Sequence, residues 1–243
     1  MKKALVTGVS RGIGLSIARK LITEDFIVTG THFRTDIPDA LQDSDHFESV
    51  RINFEDQEEI TRIMKPLLAD SAFDLLVNNA GIVLDAPITS ADDSWSSVWD
   101  KTMQVNLKAA SLLSKWFVEN TLASGSKGIL INIASRAAFR GDTQEYAAYA
   151  ASKAGLAAFT KSIARNFSKM GILAYTIAPG FIDTDMAKAS AELLGNDILT
   201  KDSVFDEVTS PGEVANIAAF LARGEVSHMS GSTIHINGGS YML

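Results

Sequence analysis

The chain has 243 residues, and 46% of them are hydrophobic, which is enough for a sizeable buried core. Its 29 acidic and 22 basic residues give a formal charge of −7, which disfavours a surface that binds nucleic acid. Because cysteine is absent, disulfides, thiol catalysis and thiolate metal sites are excluded, and the four scattered histidines predict no metal centre. The apolar runs are too short for a signal peptide or a membrane span, so we expect a cytoplasmic protein without a membrane partner.

Apolar runs of strand length alternate with helical segments along the chain. The strands are predicted at 4–7, 26–32, 49–54, 73–79, 128–135, 172–179 and 232–237, and the helices at 12–24, 56–70, 92–122, 146–168 and 211–223. Strands that are apolar on both faces are typical of a parallel sheet covered by helices. We therefore predict one α/β domain over 1–243, with a doubly wound, mostly parallel, seven-stranded Rossmann-type sheet. The long connection 183–210 is predicted to be a substrate lid.

The stretch TGVSRGIG (7–14) follows the first predicted strand and opens the first helix. Its glycines, Gly8, Gly12 and Gly14, would let backbone N–H groups approach a pyrophosphate at the helix N-terminus. The alternative is a tight turn that needs positive φ and binds nothing. A P-loop is excluded, because no Lys-Ser/Thr pair follows Gly12 or Gly14.

The end of the second strand indicates which dinucleotide the chain binds. An acidic residue there usually selects NAD(H) through the ribose 2′-hydroxyl, but this strand ends in Thr31 and His32. Arg11 and Arg34 lie nearby and would favour a 2′-phosphate, so we predict NADP(H). Asp36 keeps NAD(H) open as the alternative, in which the two arginines are ordinary surface charges.

Further short motifs lie at the ends of the predicted strands or on the predicted helices. Together they resemble the short-chain dehydrogenase/reductase family over essentially the whole chain, and among its members most resemble the 3-oxoacyl-acyl-carrier-protein reductases. The resemblance implies an NADP-dependent oxidoreductase that acts on alcohol and carbonyl groups and assembles as a homotetramer. The motifs are TGVSRGIG (7–14), NNAG (78–81), VNL around Asn106, NIAS ending at Ser135, YAASK (149–153), APGFIDTDM (178–186) and INGGSYM (236–242).

Tyr149 and Lys153 lie four residues apart in YAAYAASKAG, so on a helix their side chains project from the same face. A phenol with a pKa of about 10 is a poor base near neutral pH unless a cation stabilises its phenolate. The resemblance implies that Tyr149 transfers the proton, that Ser135 hydrogen-bonds the substrate carbonyl, and that Lys153 holds the nicotinamide ribose and lowers the pKa of Tyr149. It also implies that Asn106 holds a water that joins Lys153 to solvent. In the structural alternatives, Tyr149 and Lys153 are only a solvated pair on a helix and Ser135 only ends its strand. Asn106 then only satisfies backbone groups within its helix.

Small and polar residues at the carboxyl ends of the predicted strands complete the expected cofactor site, because open α/β sheets bind ligands there. The residues predicted to contact the cofactor are Gly8, Ser10, Arg11, Gly12, Ile13, Gly14, His32, Arg34, Asn53, Phe54, Asn79, Ala80, Gly81, Tyr149, Lys153, Pro179, Gly180, Ile182 and Thr184.

The resemblance implies reduction of a 3-oxoacyl thioester on acyl carrier protein in fatty acid synthesis, with Lys127 and Lys169 as hypothetical docking cations. The charged entrance segment SRAAFRGDTQEYAAY (135–149) speaks against that narrow assignment. The alternative is a related reductase of a small ketone, sugar or polyketide-like substrate. From another class, a non-catalytic dinucleotide sensor is also open. A hydrolase built on Ser135 is disfavoured, since no histidine lies near it in sequence and there is no G-x-S-x-G motif.

Overall fold

A computed structural model of the chain describes residues 1–185, 187 and 195–242. The strands are β1 Lys2–Val6, β2 Phe26–His32, β3 Phe47–Arg51, β4 Leu75–Asn78, β5 Gly128–Ile133, β6 Ile172–Pro179 and β7 Thr233–Ile236. The α-helices are α1 Gly12–Thr23, α2 Asp39–Gln42, α3 Gln57–Asp70, α4 Asp92–Met103, α5 Ala110–Ser124, α6 Ala137–Arg140, α7 Ala147–Phe167 and α8 Pro211–Ala222.

The seven strands form one sheet in the order β3-β2-β1-β4-β5-β6-β7, and every neighbouring pair is parallel. The predicted fold class is therefore confirmed. The strand order reverses direction between β1 and β4, which pair at Val6 and Val77. Loops on either side of such a reversal diverge and leave a crevice at the carboxyl ends of the strands, which is where this fold class binds ligands.

Helices cover both faces of the sheet, and each face has its own apolar core. On one face, Ile17 and Leu21 of α1 and Val214 of α8 pack against the strands. On the other face, Ile60 of α3 and Leu113 of α5 lie in a second cluster with side chains of β5 and β6. Burial on both faces explains why the central strands read as continuous apolar runs.

The predicted helix 92–122 is interrupted in the structure. It consists of α4, a π-helical segment Gln104–Ala109, and α5. Asn106 lies within the π segment, where its Nδ2 donates to the carbonyl of Ile82 at 2.9 Å and its Oδ1 accepts from Ile82 N at 2.8 Å. These side-chain bonds to the β4–α4 loop compensate for a locally widened helix, and π segments are frequent at functional sites.

The predicted lid 183–210 falls partly outside the described residues, since Met186 and 188–194 are not described. The described part contains a short 3₁₀ helix, Asn196–Leu199, and a parallel bridge that pairs Ile182 with Thr209. Its role as a lid stays a prediction. Among the described helices, none is long and apolar enough to cross a membrane.

A buried chain of polar side chains joins the two central strands to two helices. Asn78 of β4 donates to Asn132 of β5 at 2.8 Å and to Ser114 of α5 at 2.9 Å. Asn132 in turn donates to Thr160 of α7 at 2.8 Å. Asn132, Ser114 and Thr160 are fully buried, so these bonds form in a low-dielectric interior and fix the position of α7 along β5.

Replacing Asn132 by alanine is expected to lower the free energy of unfolding by about 1–3 kcal/mol, because it removes two hydrogen bonds from the buried network. Urea denaturation at fixed protein concentration measures the change. Asn166→Ala is the matched control on α7, since Asn166 is exposed and its amide bonds only to Ser162 O. That variant should change the free energy by about 0.5 kcal/mol or less. Equal losses in the two variants would contradict the role assigned to the network.

Candidate active site

One cavity of about 680 Å³ opens at the carboxyl edge of the sheet, over the reversal point between β1 and β4. This volume is in the range of small-molecule and cofactor sites. Of the residues predicted for catalysis or cofactor binding, all but Gly14 and Asn106 line it. They are Gly8, Ser10, Arg11, Gly12, Ile13, His32, Arg34, Asn53, Phe54, Asn79, Ala80, Gly81, Ser135, Tyr149, Lys153, Pro179, Gly180, Ile182 and Thr184.

The glycine loop is shaped by close backbone approaches. Gly8 and Gly12 have φ values of +74° and +56°, which other L-residues rarely adopt. Gly14 lies behind the cavity wall, where a Cβ atom would sit 2.1 Å from the carbonyl oxygen of Gly8. Its missing side chain lets the first turn of α1 press against the loop. The segment is therefore a tight turn that requires glycine, and it also lines the cavity.

Thr7 was not identified from sequence, although it holds the two halves of the site together. Its Oγ1 accepts hydrogen bonds from the backbone N–H groups of Asn79 and Ala80, both at 2.9 Å. The side-chain Nδ2 of Asn79 donates two hydrogen bonds in turn, to the carbonyls of Thr7 at 2.9 Å and Gly8 at 3.1 Å. These bonds clamp the loop after β1 to the loop after β4. The only sequence feature that could have indicated this role is the position of Thr7 directly before the first glycine of the loop.

Ser135, Tyr149 and Lys153 converge at the other end of the cavity. Ser135 follows β5, while Tyr149 and Lys153 come from successive turns of α7. The Lys153 ammonium lies 5.9 Å from the centre of the Tyr149 ring and donates a hydrogen bond to Ile133 O at 2.9 Å. Lys153 is 4% exposed and Ser135 is 9% exposed, whereas Tyr149 is half-buried on the cavity wall.

Burial dominates the acid–base properties of this pair. It lowers the pKa of Lys153 from 10.5 to about 8, because the ammonium loses its hydration. It also raises the pKa of the Tyr149 phenol, while the hydrogen bond with Ser135 acts in the opposite direction and the charge of Asp142 adds to the rise. The expected lowering of the tyrosine pKa by Lys153 is therefore not found in the protein alone. The physical reason is that desolvation of the phenolate outweighs the favourable contacts.

Asn106 does not reach the cavity surface, but it lies directly behind the lysine. Its side chain is 1% exposed and bonds to Ile82 and, at 3.1 Å, to Ser152 Oγ. A Cβ atom on Gly81 would sit 3.2 Å from both Asn106 Oδ1 and Lys153 Nζ. Gly81 thus keeps open the small space between these two groups. Whether this space holds the predicted water stays a prediction.

The far end of the cavity carries the charges predicted to select the dinucleotide. Arg11 is 65% exposed at its side chain and forms an ion pair with Asp185 at 3.3 Å. Arg34, which is 74% exposed, lies 3.9 Å from Glu55. Exposed pairs of this kind are weak, so either guanidinium can reorient toward a phosphate. Asp36, which would favour NAD(H), does not line the cavity.

Two arginines that follow Ser135 line the same end of the cavity as Ser135, which we call the substrate end because the substrate carbonyl is expected there. Arg140 forms an ion pair with Asp202 at 3.2 Å, whereas Arg136 is 6% exposed and stacks on the Phe181 ring at 4.6 Å. The sequence indicated a charged entrance here, but not that one of its cations is buried. Tyr146 also lines the cavity, and burial raises its pKa.

Lys127 and Lys169, considered as docking cations, lie away from the cavity in their own chain. Lys127 precedes β5 and Lys169 follows α7, so both are at the amino-terminal edge of the sheet. The hydrogen bond from Gly128 N to Gly171 O at 3.1 Å confirms that these two connections are neighbours. Their role as docking cations stays a prediction.

Other chemistries gain no support from the geometry. Within the described ranges, no three His, Asp or Glu side chains gather as metal ligands. The hydroxyl of Ser135 contacts the Ala137 N–H and Tyr149 rather than an imidazole. His32 lines the opposite end of the cavity, beyond β2, so the hydrolase arrangement is not formed there.

Comparison with known proteins agrees with this geometry. A family model described as enoyl-(acyl carrier protein) reductase matches residues 8–241. The 3-oxoacyl-(acyl-carrier-protein) reductase FabG of Vibrio cholerae is 36% identical over 246 residues, which cover 100% of this chain and 98% of that protein.

Solved structures extend the likeness to other substrates. A candidate 2-deoxy-D-gluconate 3-dehydrogenase from Agrobacterium tumefaciens with bound NADP has a TM-score of 0.88 and 31% identity, covering 98% of this chain and 96% of that one. A 4-hydroxyisoleucine dehydrogenase complexed with NADH has a TM-score of 0.88 and 25% identity, covering 98% of each chain. With a family model and a full-length relative both matched, the chain belongs to the short-chain dehydrogenase/reductase family.

Proposed function

We propose that the chain is an NADP(H)-dependent oxidoreductase that interconverts a ketone and a secondary alcohol. The observation that carries the proposal is the convergence of Ser135, Tyr149 and Lys153 in the same cavity as the glycine loop. A non-catalytic sensor would not need all three groups. The Vibrio cholerae reductase and the NADP-bound Agrobacterium tumefaciens structure support the same reaction class.

The loops of the cavity fit a dinucleotide. A Cβ atom on Gly8 would lie 3.1 Å from Ala80 Cα, and one on Gly12 would lie 3.1 Å from Thr184 Cγ2; because both residues also have positive φ, any other residue would be strained there. Backbone N–H groups at the start of α1 would hold the pyrophosphate, and Arg11 and Arg34 would hold a 2′-phosphate. NADPH, when bound, supplies the hydride.

The side chains around Ser135 can manage the proton and the developing charge. In the reduction direction, Ser135 orients the carbonyl and Tyr149 donates its phenolic proton to the oxygen as negative charge builds there. Lys153 stabilises the phenolate that remains, because its buried ammonium is fixed by Ile133 O beside the Tyr149 ring. The positive charge of oxidised nicotinamide would act in the same direction as Lys153.

Two substrate classes are candidates for this site. Reduction of a 3-oxoacyl thioester on acyl carrier protein, as in fatty acid synthesis, is supported by the full-length likeness to the Vibrio cholerae reductase. Oxidation or reduction of a small hydroxy compound is supported by the Agrobacterium tumefaciens structure and by the charged entrance of the cavity.

Self-association as a homotetramer belongs to the same proposal. Trp95 and Trp99 stack at 5.0 Å on a half-exposed face of α4, and the edge strand β7 is only partly buried. Both surfaces are apolar enough to pack against another copy. Sedimentation velocity would measure the assembly state directly.

The direct test follows NADPH and NADH oxidation by the purified protein. The carbonyl panel contains a 3-oxoacyl thioester, small ketones, keto sugars and oxo acids. Turnover of any carbonyl with NADPH supports the proposed reaction. Binding of NADPH with no turnover of the whole panel would favour the dinucleotide sensor instead.

Tyr149→Phe is expected to lower kcat by about 10²–10⁴-fold, since it removes the proton donor. The dissociation constant for NADPH, measured by nucleotide fluorescence, should change little because only one hydroxyl is lost. Tyr175→Phe serves as the matched control, because that phenol is buried against Val226 O away from the cavity. Comparable kcat values for Tyr149→Phe and the unmodified protein would reject Tyr149 as the donor.

The pH profile should report the titration of Lys153. A lysine whose pKa is lowered to about 8 keeps its charge only below that pH. Tyr149 has a raised pKa and stays protonated through this range. The kcat/KM for reduction is therefore expected to be level up to about pH 8 and to fall above it. A fall centred near the ordinary lysine pKa of 10.5 would show that burial does not act as argued.

Arg11→Ala is expected to raise the KM for NADPH by about tenfold or more and to leave the KM for NADH within about twofold, since a charge-assisted phosphate contact contributes about 1.5–3 kcal/mol. Steady-state kinetics with the two nucleotides measure the difference. Arg223→Ala is the control, because its exposed ion pair with Glu24 lies outside the cavity. Equal effects of Arg11→Ala on both nucleotides would contradict the selection of NADP(H).

A further inference from the structure

The Arg136 side chain is a buried cation on the wall of the cavity. It directly follows Ser135 in the chain, is 6% exposed and lines the same cavity. Its backbone is fixed by a hydrogen bond from Arg136 N to Pro179 O at 2.8 Å. The guanidinium makes no hydrogen bond or ion pair with any described residue, and its one specific contact is the Phe181 ring at 4.6 Å.

A buried charge of this kind normally has a counterion. Burial without one is costly, and the cost here is visible in the pKa of Arg136, which burial lowers. Stacking on Phe181 recovers part of that energy but uses only the face of the guanidinium. The N–H groups around its edge, which match the two oxygens of a carboxylate, remain free for a ligand.

The neighbouring charges do not supply this counterion. Asp202 is the nearest candidate, but it is bound to Arg140 at 3.2 Å. Asp142 is exposed and, like Asp202, favours the Arg136 charge through space, but neither carboxylate lies within ion-pair distance of the guanidinium. Arg140 and Lys201 line this end together with Asp142 and Asp202, and Asp85 and Glu145 lie near Tyr146. It is therefore the buried Arg136 guanidinium, and not the net charge of the entrance, that favours an anion.

We propose that Arg136 is a specificity-determining residue that binds the carboxylate of a compact organic acid. The substrate is then an oxo acid, reduced to the hydroxy acid, with its carbonyl at Ser135 and Tyr149 and its carboxylate on Arg136. This inference rests on the proposed oxidoreductase function and chooses between its two substrate classes. The hydride adds to the carbonyl carbon and the Tyr149 proton adds to the oxygen, while the carboxylate is unchanged.

Chain geometry limits the size of such a substrate. Neighbouring Cα atoms are 3.8 Å apart, so a fully extended arginine places its guanidinium within about 11 Å of the Cα of Ser135. The carboxylate must therefore lie at the same end of the cavity as the reacting carbonyl, which favours a compact acid. An acyl thioester carries no charge that close to its carbonyl, so it would leave the buried guanidinium unpaired.

The first test compares substrates that differ only in charge. Short 2-oxo and 3-oxo acids are assayed with NADPH beside their ethyl esters and, for the 3-oxo acids, beside the neutral N-acetylcysteamine thioesters. We expect kcat/KM for the best acid to exceed that for its ester by at least tenfold. Faster turnover of the esters or thioesters than of every acid would overturn the proposal.

The second test uses Arg136→Gln and Arg136→Lys. We expect the glutamine variant to lose about 100-fold or more in kcat/KM for the acid, mainly through KM, and to stay within about threefold for the ester. The lysine variant should recover part of the loss because it restores the charge. Arg223→Gln controls for removal of a surface arginine. Equal loss for acid and ester would show that Arg136 has a structural role only.

A binding measurement keeps the proposal testable if the oxidoreductase function itself fails. Calorimetry with malonate, a compact dicarboxylate without a ketone, is performed on the protein saturated with NADP⁺. We expect binding that is weakened at least tenfold in Arg136→Gln, whose NADP⁺ affinity and thermal unfolding temperature serve as folding controls. Absence of malonate binding, or equal binding to both proteins, would overturn the carboxylate site. Absence of all turnover together with this binding would reject only the proposed reaction.

Discussion

The hydrogen bonds that hold α7 against β5 determine where the chemistry of this protein takes place. Asn132 bonds to Thr160 in the interior, and Lys153 bonds to the carbonyl of Ile133 at the end of the same strand. Ser135 leaves β5 two residues later, so its hydroxyl meets Tyr149, which α7 presents one turn before Lys153. A shift of the helix by one residue would rotate both side chains by about 100° and separate them from Ser135.

The cavity contains two cations whose charges are buried without carboxylate partners. Lys153 is held by one backbone carbonyl, and Arg136 is held by the Phe181 ring. Each buried charge costs stability and creates a potential that favours negative charge, which we propose acts on the phenolate for Lys153 and on the substrate for Arg136. The glycine loop, clamped by Thr7 and Asn79, completes the cavity from the other side of the strand reversal. The proposed proton transfer and the two sites expected to bind anions therefore share one cavity.

Sequence reasoning located most of the elements because their signals are local. Hydrophobic periodicity and composition predicted the parallel sheet. The residues at the strand ends predicted the cavity wall, because the carboxyl ends of parallel strands meet at one edge of the sheet. It missed the break at Gln104–Ala109, because a π-helix is stabilised by the contact of Asn106 with Ile82, 24 residues away. It also considered Lys127 and Lys169 as docking cations, and in the chain they lie at the edge of the sheet opposite the cavity.

The sequence by itself determined the α/β architecture, the glycine loop and the Tyr149–Lys153 pair, since each depends on spacing along one element. Only the tertiary structure decided the properties that depend on neighbours distant in sequence. Thr7 can clamp two loops because β1 and β4 are adjacent in the sheet. The pKa of Tyr149 is raised because packing desolvates its phenol. In the sequence, Arg136 cannot be distinguished from the other charged residues of the entrance segment; in the structure it is buried. Solvation and partner choice are properties of the packed chain, and residue order alone does not specify them.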